Sequence, residues 1–176
     1  LLCCMIAKQL GAKRTIARVR DPGYLKQVSF MSKNLGIDMI VNPEHEAARE
    51  AAVLADMMDA RVKNEQGRPS VETLLHDLFP QRFVLHVHPA AINGITCSVE
   101  GKAAMAELFP NAVWVPCTKP GYTLAMNCAK LVEAYQKEHG QCANLIFLEN
   151  HGVFFCADTT EAVDTLVAEV MEKIQK

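Results

Sequence analysis

The sequence has no basic run and no long apolar run. Its 18 Lys and Arg stand against 20 Asp and Glu, a formal net charge of −2 over 176 residues, so nothing in that balance favours nucleic acid. The apolar opening Leu1-Leu-Cys-Cys-Met-Ile-Ala7 is too short to span a bilayer and has no basic region ahead of it, which argues against both an anchor and a signal peptide. It has no initiator methionine and begins mid-pattern, so the chain reads as a fragment at its N-terminus. No Cys-x-x-Cys pair occurs. The seven cysteines are odd in number, and apart from adjacent Cys3 and Cys4 they are scattered at Cys97, Cys117, Cys128, Cys142 and Cys156. That spacing fits neither a disulfide scaffold nor a zinc knuckle, and it leaves free buried thiols in a reducing cytosol. Also missing are an internal repeat, a low-complexity tract and the G-x-G-x-x-G turn that cradles a pyrophosphate.

What is present is an ordinary globular composition, half apolar and 22% charged, in a chain long enough for one ordinary domain or two small ones. Residues 1–10 have helical apolar spacing and stop at Gly11. Residues 15–19 and 37–41 are β-prone, with a turn at Asp21-Pro22-Gly23 and a helix running to about Leu35 between them. This alternation predicts part of a βαβ winding with a parallel sheet. Glu44 to about Val62 is a run of good helix formers, and Lys63-Asn-Glu-Gln-Gly-Arg-Pro69 breaks it. A helix is expected over 70–79, with Ser70 placed to cap its first turn. Strands at 82–88 and 112–116 flank a short helix at 99–108. Tyr122 to His139 reads as a helix stopped by Gly140, and strands at 144–149 and 152–156 precede a last helix from Thr160.

Chemistry concentrates in Phe83-Val-Leu-His-Val-His-Pro89 and Asn150-His151-Gly152. A strand turns alternate side chains to one face, so His86 and His88 can grip one ion. His151, at the end of the run Asn144-Leu-Ile-Phe-Leu-Glu-Asn150, could close a three-imidazole site with one open position, the arrangement a catalytic zinc requires. The alternative is a set of hydrogen-bonded core histidines, which would need partners for every buried ring nitrogen. Glu72, near a helix N-terminus, reads either as a dipole-compensating carboxylate or as a fourth ligand or general base. His76, four residues on, makes a rival pair with Glu72, but its core-leucine neighbours favour a structural role.

Together, Arg68-Pro-Ser-Val-Glu72 before a Leu-Leu-His helix, His86-Val-His88-Pro89, Val115-Pro116 with Pro120-Gly-Tyr-Thr-Leu-Ala125, and Asn150-His151-Gly152 closely resemble the class II aldolase/adducin family from about residue 56 to the C-terminus. Within it, this stretch looks most like the aldolase portion of rhamnulose-1-phosphate aldolase/dehydrogenase-type proteins. The resemblance implies that His86, His88 and His151 hold a divalent zinc and that Glu72 transfers a proton. It implies retro-aldol cleavage of a phosphorylated ketose to a three-carbon ketone phosphate and an aldehyde, in a cytoplasmic homo-oligomer without membrane or nucleic-acid partners. Lys119 is then not needed as a Schiff-base nucleophile and is expected at the surface. The family's Gly-Asn-x-Ser phosphate loop has no counterpart here, and its paired serines are reduced to Ser70 followed by Val71, so Ser70 alone is left to touch phosphate. Tyr122 is not aligned with the family's catalytic tyrosine.

Residues 1–50 resemble something else. The opening through Tyr24, with Leu35-Gly-Ile-Asp-Met-Ile-Val-Asn-Pro-Glu44 and Ala47-Ala-Arg-Glu50, is similar to the second half of the Rossmann-like nucleotide-binding (RCK) domain of Trk potassium-uptake regulators. The glycine-rich turn and ribose-binding acid lie upstream in such proteins, so no nucleotide binding is expected, and Arg18 and Arg20 are expected to be solvated or ion-paired. The seam between the two likenesses falls near Ala51 to Asp56, where a join of fragments and a natural chain both fit. The expected fold is α/β in three layers (α/β/α), with a partial class II aldolase sheet over residues 56–176 preceded by a half-Rossmann βαβ unit over 1–50. An interaction module of the same family that lacks catalysis, and a fragment of a nucleotide-sensing potassium-transport regulator, are the alternatives.

Overall fold

The structure, a computed structural model, describes residues 2–19, 30 and 34–175. The expected turn at Asp21-Pro22-Gly23, Arg20 and most of the helix before Leu35 lie outside the described residues. The chain divides into two compact units, Leu1–Gly67 and Arg68–Lys176.

In the first unit, α1 (Leu2–Gln9) stops where glycine allows it to. Gly11 adopts φ +93°, and the amides of Gly11 and Ala12 donate to the carbonyls of Lys8 and Ala7 at 3.1 and 2.9 Å, closing the helix in a Schellman turn. Strands β1 (Ile16–Arg18) and β2 (Met39–Val41) then pair in parallel, Ile16 opposite Met39, as the helix–strand alternation predicts. Asp38 ties their leading ends together, accepting from the Thr15 amide at 2.7 Å and from Lys8 Nζ at 2.9 Å. The Lys8 hydrogen bond, helped by the Thr15 amide, holds the Asp38 carboxyl below its ordinary pKa. Helix α2 (Pro43–Asp59) begins on a proline, whose missing N–H costs nothing in a first turn. It stops short of Val62 because Arg61 folds back, its Nε donating to the Met58 carbonyl at 2.9 Å.

The second unit is a four-stranded mixed sheet in the order β3 (Phe83–Val87), β6 (Gly152–Ala157), β5 (Leu145–Leu148), β4 (Val113–Val115). The pairings of β6 with β3 and β5 are antiparallel, whereas β4 and β5 run parallel. The inner strands read as unbroken apolar runs because both their faces are covered. Ile146, Leu148, Phe154 and Cys156 face Leu75, Phe79, Leu124, Cys128 and Val132, supplied largely by α3 (Thr73–His76) and α6 (Tyr122–His139). Their alternates Leu145, Phe147, Val153 and Phe155 face Ile92, Met105, Phe109, Val163 and Val170, mainly from α4 (Ala90–Thr96), α5 (Gly101–Leu108) and α7 (Thr160–Ile174). This is the three-layer α/β/α arrangement. Each fully buried side chain of this size contributes about 1.5–3 kcal/mol.

Two helices depart from the sequence pattern. The helix expected over 70–79 shrinks to the single turn of α3. Pro69 and Pro80 bracket it, and Ser70 Oγ accepts from the Glu72 amide at 3.1 Å, locking a hydroxyl turn ahead of the helix rather than extending it. Conversely, α4 forms where no helix was expected, despite Gly94 and three β-branched residues. Burial of Ile92 and Thr96 offsets that poor propensity. Helices α6 and α7 follow their signals: Gly140 takes φ +69° just past α6, and Thr159 accepts from the Ala162 amide at 3.1 Å to cap α7.

All seven cysteines are free. Burial pushes the thiols of Cys128 and Cys156 up to about 12, whereas Cys3, Cys97 and Cys117 are exposed. In native protein, a thiol reagent analysed by peptide mass should therefore modify Cys3, Cys97 and Cys117 quickly and spare Cys128 and Cys156 until denaturant is added. Labelling of Cys128 at the rate of Cys97 would contradict this core packing.

Candidate metal centre

Strand β3 is short and lies at the sheet edge, yet its register is fixed. His86 sits opposite Phe154 and Val87 opposite Val153. The His86 ring stacks on Phe154 with centroids 4.1 Å apart and planes 15° from parallel. His86 Nδ1 lies 3.0 Å from the Val153 carbonyl. A carbonyl can only accept, so Nδ1 carries the proton and Nε2 of the neutral ring offers its lone pair away from the strand. Two residues on, the period of two returns His88 to the same face, with its Nε2 3.0 Å from that of His86.

His151 arrives from the other side. The three residues between paired Leu148 and Gly152 form the β5–β6 turn, and Asn150 takes φ +59° there, a left-handed conformation that asparagine tolerates better than most residues. His151 is next in the chain, and its Nε2 reaches Glu72 Oε1 at 3.1 Å. Glu72 stands immediately before α3, and the same oxygen lies 3.6 Å from His86 Nε2. One ligand atom from each of Glu72, His86, His88 and His151 thus lies within 4.8 Å of every other. His86 is the deepest, with 4% of its side chain exposed against 27% for Glu72, while His88 opens to solvent.

Three imidazole nitrogens and a carboxylate so close together repel unless protons or a cation stand between them. Burial, opposed by the Val153 carbonyl and Glu72 and assisted by the neighbouring imidazoles, lowers the His86 pKa below its ordinary value. The folded state therefore resists protonation there. As pH falls below the ordinary imidazole range, the unfolded chain takes up a proton that the folded chain refuses, and stability declines. A neutral ring is also the form that ligates metal. The donor chemistry fits a divalent cation: a tetrahedral zinc with bonds of about 2.1 Å needs ligand atoms about 3.4 Å apart, close to the 3.0, 3.1 and 3.6 Å seen here.

Gly152 makes the closest approach possible. A Cβ on it would lie 2.2 Å from His88 Cδ2 and 2.7 Å from the Val87 carbonyl oxygen. The other candidates fall outside the cluster. Ser70 is exposed and engaged by the Glu72 amide. His76 is also exposed, its ring edge-on to Phe154 at 5.5 Å. Lys119 is at the surface, as expected, and Tyr122 opens α6. Two supports had no sequence signal: the Val153 carbonyl that orients His86, and Asn93, whose Nδ2 donates to the His151 carbonyl at 3.1 Å.

Residues 37–175 match the family model described as class II aldolase and adducin N-terminal domain. The match runs through the region around Ala51 to Asp56 and begins before residue 56. Over 116 residues, 65% of this chain, the sequence is 32% identical to the uncharacterized oxidoreductase YuxG of Bacillus subtilis (strain 168), of which it spans only 16%. The N-terminal class II aldolase domain of a conserved protein from Thermoplasma acidophilum superposes with a TM-score of 0.60 at 27% identity, over 72% of this chain and 56% of that one. Among the described residues, no helix is long and apolar enough to cross a membrane.

Gly152→Ala is expected to destabilise the protein by about 1–3 kcal/mol in urea unfolding, because the Val87 carbonyl belongs to a paired strand and cannot step aside. An unchanged midpoint would mean that the His88 ring and the Val87 carbonyl give way to a methyl group at position 152.

Proposed function

The chain belongs to the class II aldolase and adducin family, and from that premise we propose that it is a zinc-dependent aldolase domain that cleaves a phosphorylated ketose into a three-carbon ketone phosphate and an aldehyde. The convergence of Glu72, His86, His88 and His151 on one point carries this reading. Three imidazoles suit a borderline-soft ion such as zinc better than the all-oxygen preference of magnesium or calcium. A cation held there would supply the positive charge that stabilises the oxyanion developing beside a breaking C–C bond.

The chain's own residues do the rest. His86, His88 and His151 bind the ion through Nε2, and the Val153 carbonyl keeps His86 in the ligating tautomer. Glu72 Oε1 stands at the edge of the cluster, partly exposed, where a carboxylate can take a proton from substrate and return it to carbon. Ser70 accepts from the Glu72 amide through its oxygen, which leaves its hydroxyl hydrogen to donate to a phosphate oxygen. Lys119 takes no part. This reading places the domain in a cytoplasmic homo-oligomer. A binding module without catalysis would have no need to keep all four donors together.

Elemental analysis of purified protein beside His86→Ala and His151→Ala variants tests the reading. About one zinc per chain is expected, lost from both variants. Glu72→Gln should keep the metal and lower release of the three-carbon product from ketose phosphates by about 10²–10⁴-fold. Absence of metal from a folded sample, with no uptake of added zinc, would sink the proposal.

A further inference from the structure

Helix α4 begins directly after the two strand histidines. Pro89, its N-cap, follows His88, and the Pro89 carbonyl accepts the Asn93 amide at 2.9 Å. From that first turn, the Asn93 side chain reaches 58 positions along the chain to the His151 carbonyl, with Nδ2 donating at 3.1 Å. At the other end of α4, the Thr96 carbonyl accepts the Asn150 amide at 3.2 Å. Two hydrogen bonds from one short helix therefore hold two successive residues of the turn that presents His151. Asn150 sits in the left-handed region, which asparagine tolerates better than most residues, and the Thr96 carbonyl holds its amide there.

We infer that Asn93 is a positioning residue: its carboxamide fixes the His151 backbone so that the third imidazole meets the two from β3. The inference rests on the metal-site reading for its consequence, though the hydrogen bond itself does not. Asn93 Oδ1 is buried without a protein partner, as is Thr96 Oγ1. The carboxamide nitrogen donates to the His151 carbonyl, and removing that donor would leave a backbone acceptor beside the third imidazole to find another partner. The two hydrogen bonds also tie the helix that follows His86 and His88 to the turn bearing His151. Ligands distant in sequence are thereby tied through a second link beside the β3–β6 pairing.

The test uses Asn93→Ala, which removes the carboxamide, and Asn93→Asp, which keeps its shape but replaces the donor with an acceptor. Thr96→Val serves as a control, since Thr96 acts through its backbone. Zinc affinity is read by competition with a chromophoric chelator, the visible spectrum of the cobalt(II) form reports ligand geometry, and histidine-ring NMR of metal-free protein reports His151 directly. Both Asn93 variants should weaken zinc binding about tenfold, shift the cobalt spectrum, and move or broaden the His151 ring signals while those of His139 stay put. Thr96→Val should match the wild type in all three. Unchanged His151 signals in both Asn93 variants would overturn the inference. A wild-type protein that takes up no zinc would instead overturn the metal reading, and the metal-free NMR comparison would still decide the role of Asn93.

Discussion

The antiparallel register of β3 against β6 is the constraint on which the rest of the site depends. It places His86 opposite Phe154 and beside the Val153 carbonyl, and so fixes at once the ring's stacking, its tautomer and the direction of its free lone pair. A slip of one residue would turn both strand histidines to the opposite face, toward Ile92 and Phe155. The register is defended from within the sheet. Phe154 and Phe155 are fully buried on opposite faces, so neither face of β6 can tolerate the exchange of side chains that a slip would bring.

The same strand also governs the third imidazole. Strand β6 begins at Gly152, immediately after His151, and its pairing with β5 closes a turn just long enough to leave the histidine pointing back across the sheet. Strand pairing thus brings together residues from positions 86, 88 and 151, while Glu72 comes from the turn that Ser70 locks ahead of α3. Close approach explains the glycine: the ring of His88 occupies the space a side chain at 152 would need. The site is a product of backbone geometry before it is a product of side-chain choice.

The two units are stabilised differently. In the second, large apolar side chains fill both faces of the sheet. In the first, a short parallel pair is held by the polar staple of Lys8, Asp38 and Thr15, and Ile16 and Met39 remain exposed. An exposed ion pair of this kind stabilises little by itself. Its role is to fix the entry of β1 and β2 rather than to anchor a core.

Much was legible from residue order. The stops at Gly11 and Gly140, the start of α7 at Thr160 and the apolar runs of β5 and β6 each follow from local rules about left-handed glycine, amphipathic spacing and two-sided burial. That His86 and His88 share a face was legible too, from their strand spacing. By contrast, the single turn of α3 and the existence of α4 were not: one depends on a hydroxyl turn at Ser70, the other on burial of Ile92 against distant strands. The sequence by itself determined the chemistry on offer, because side-chain type and strand period are local properties. Only the tertiary structure decided that Glu72 and His151 meet His86 and His88 within 4.8 Å, and that Asn93 and the Val153 carbonyl hold them there. Those contacts join residues dozens of positions apart, and strand pairing, which no local pattern records, sets their distances.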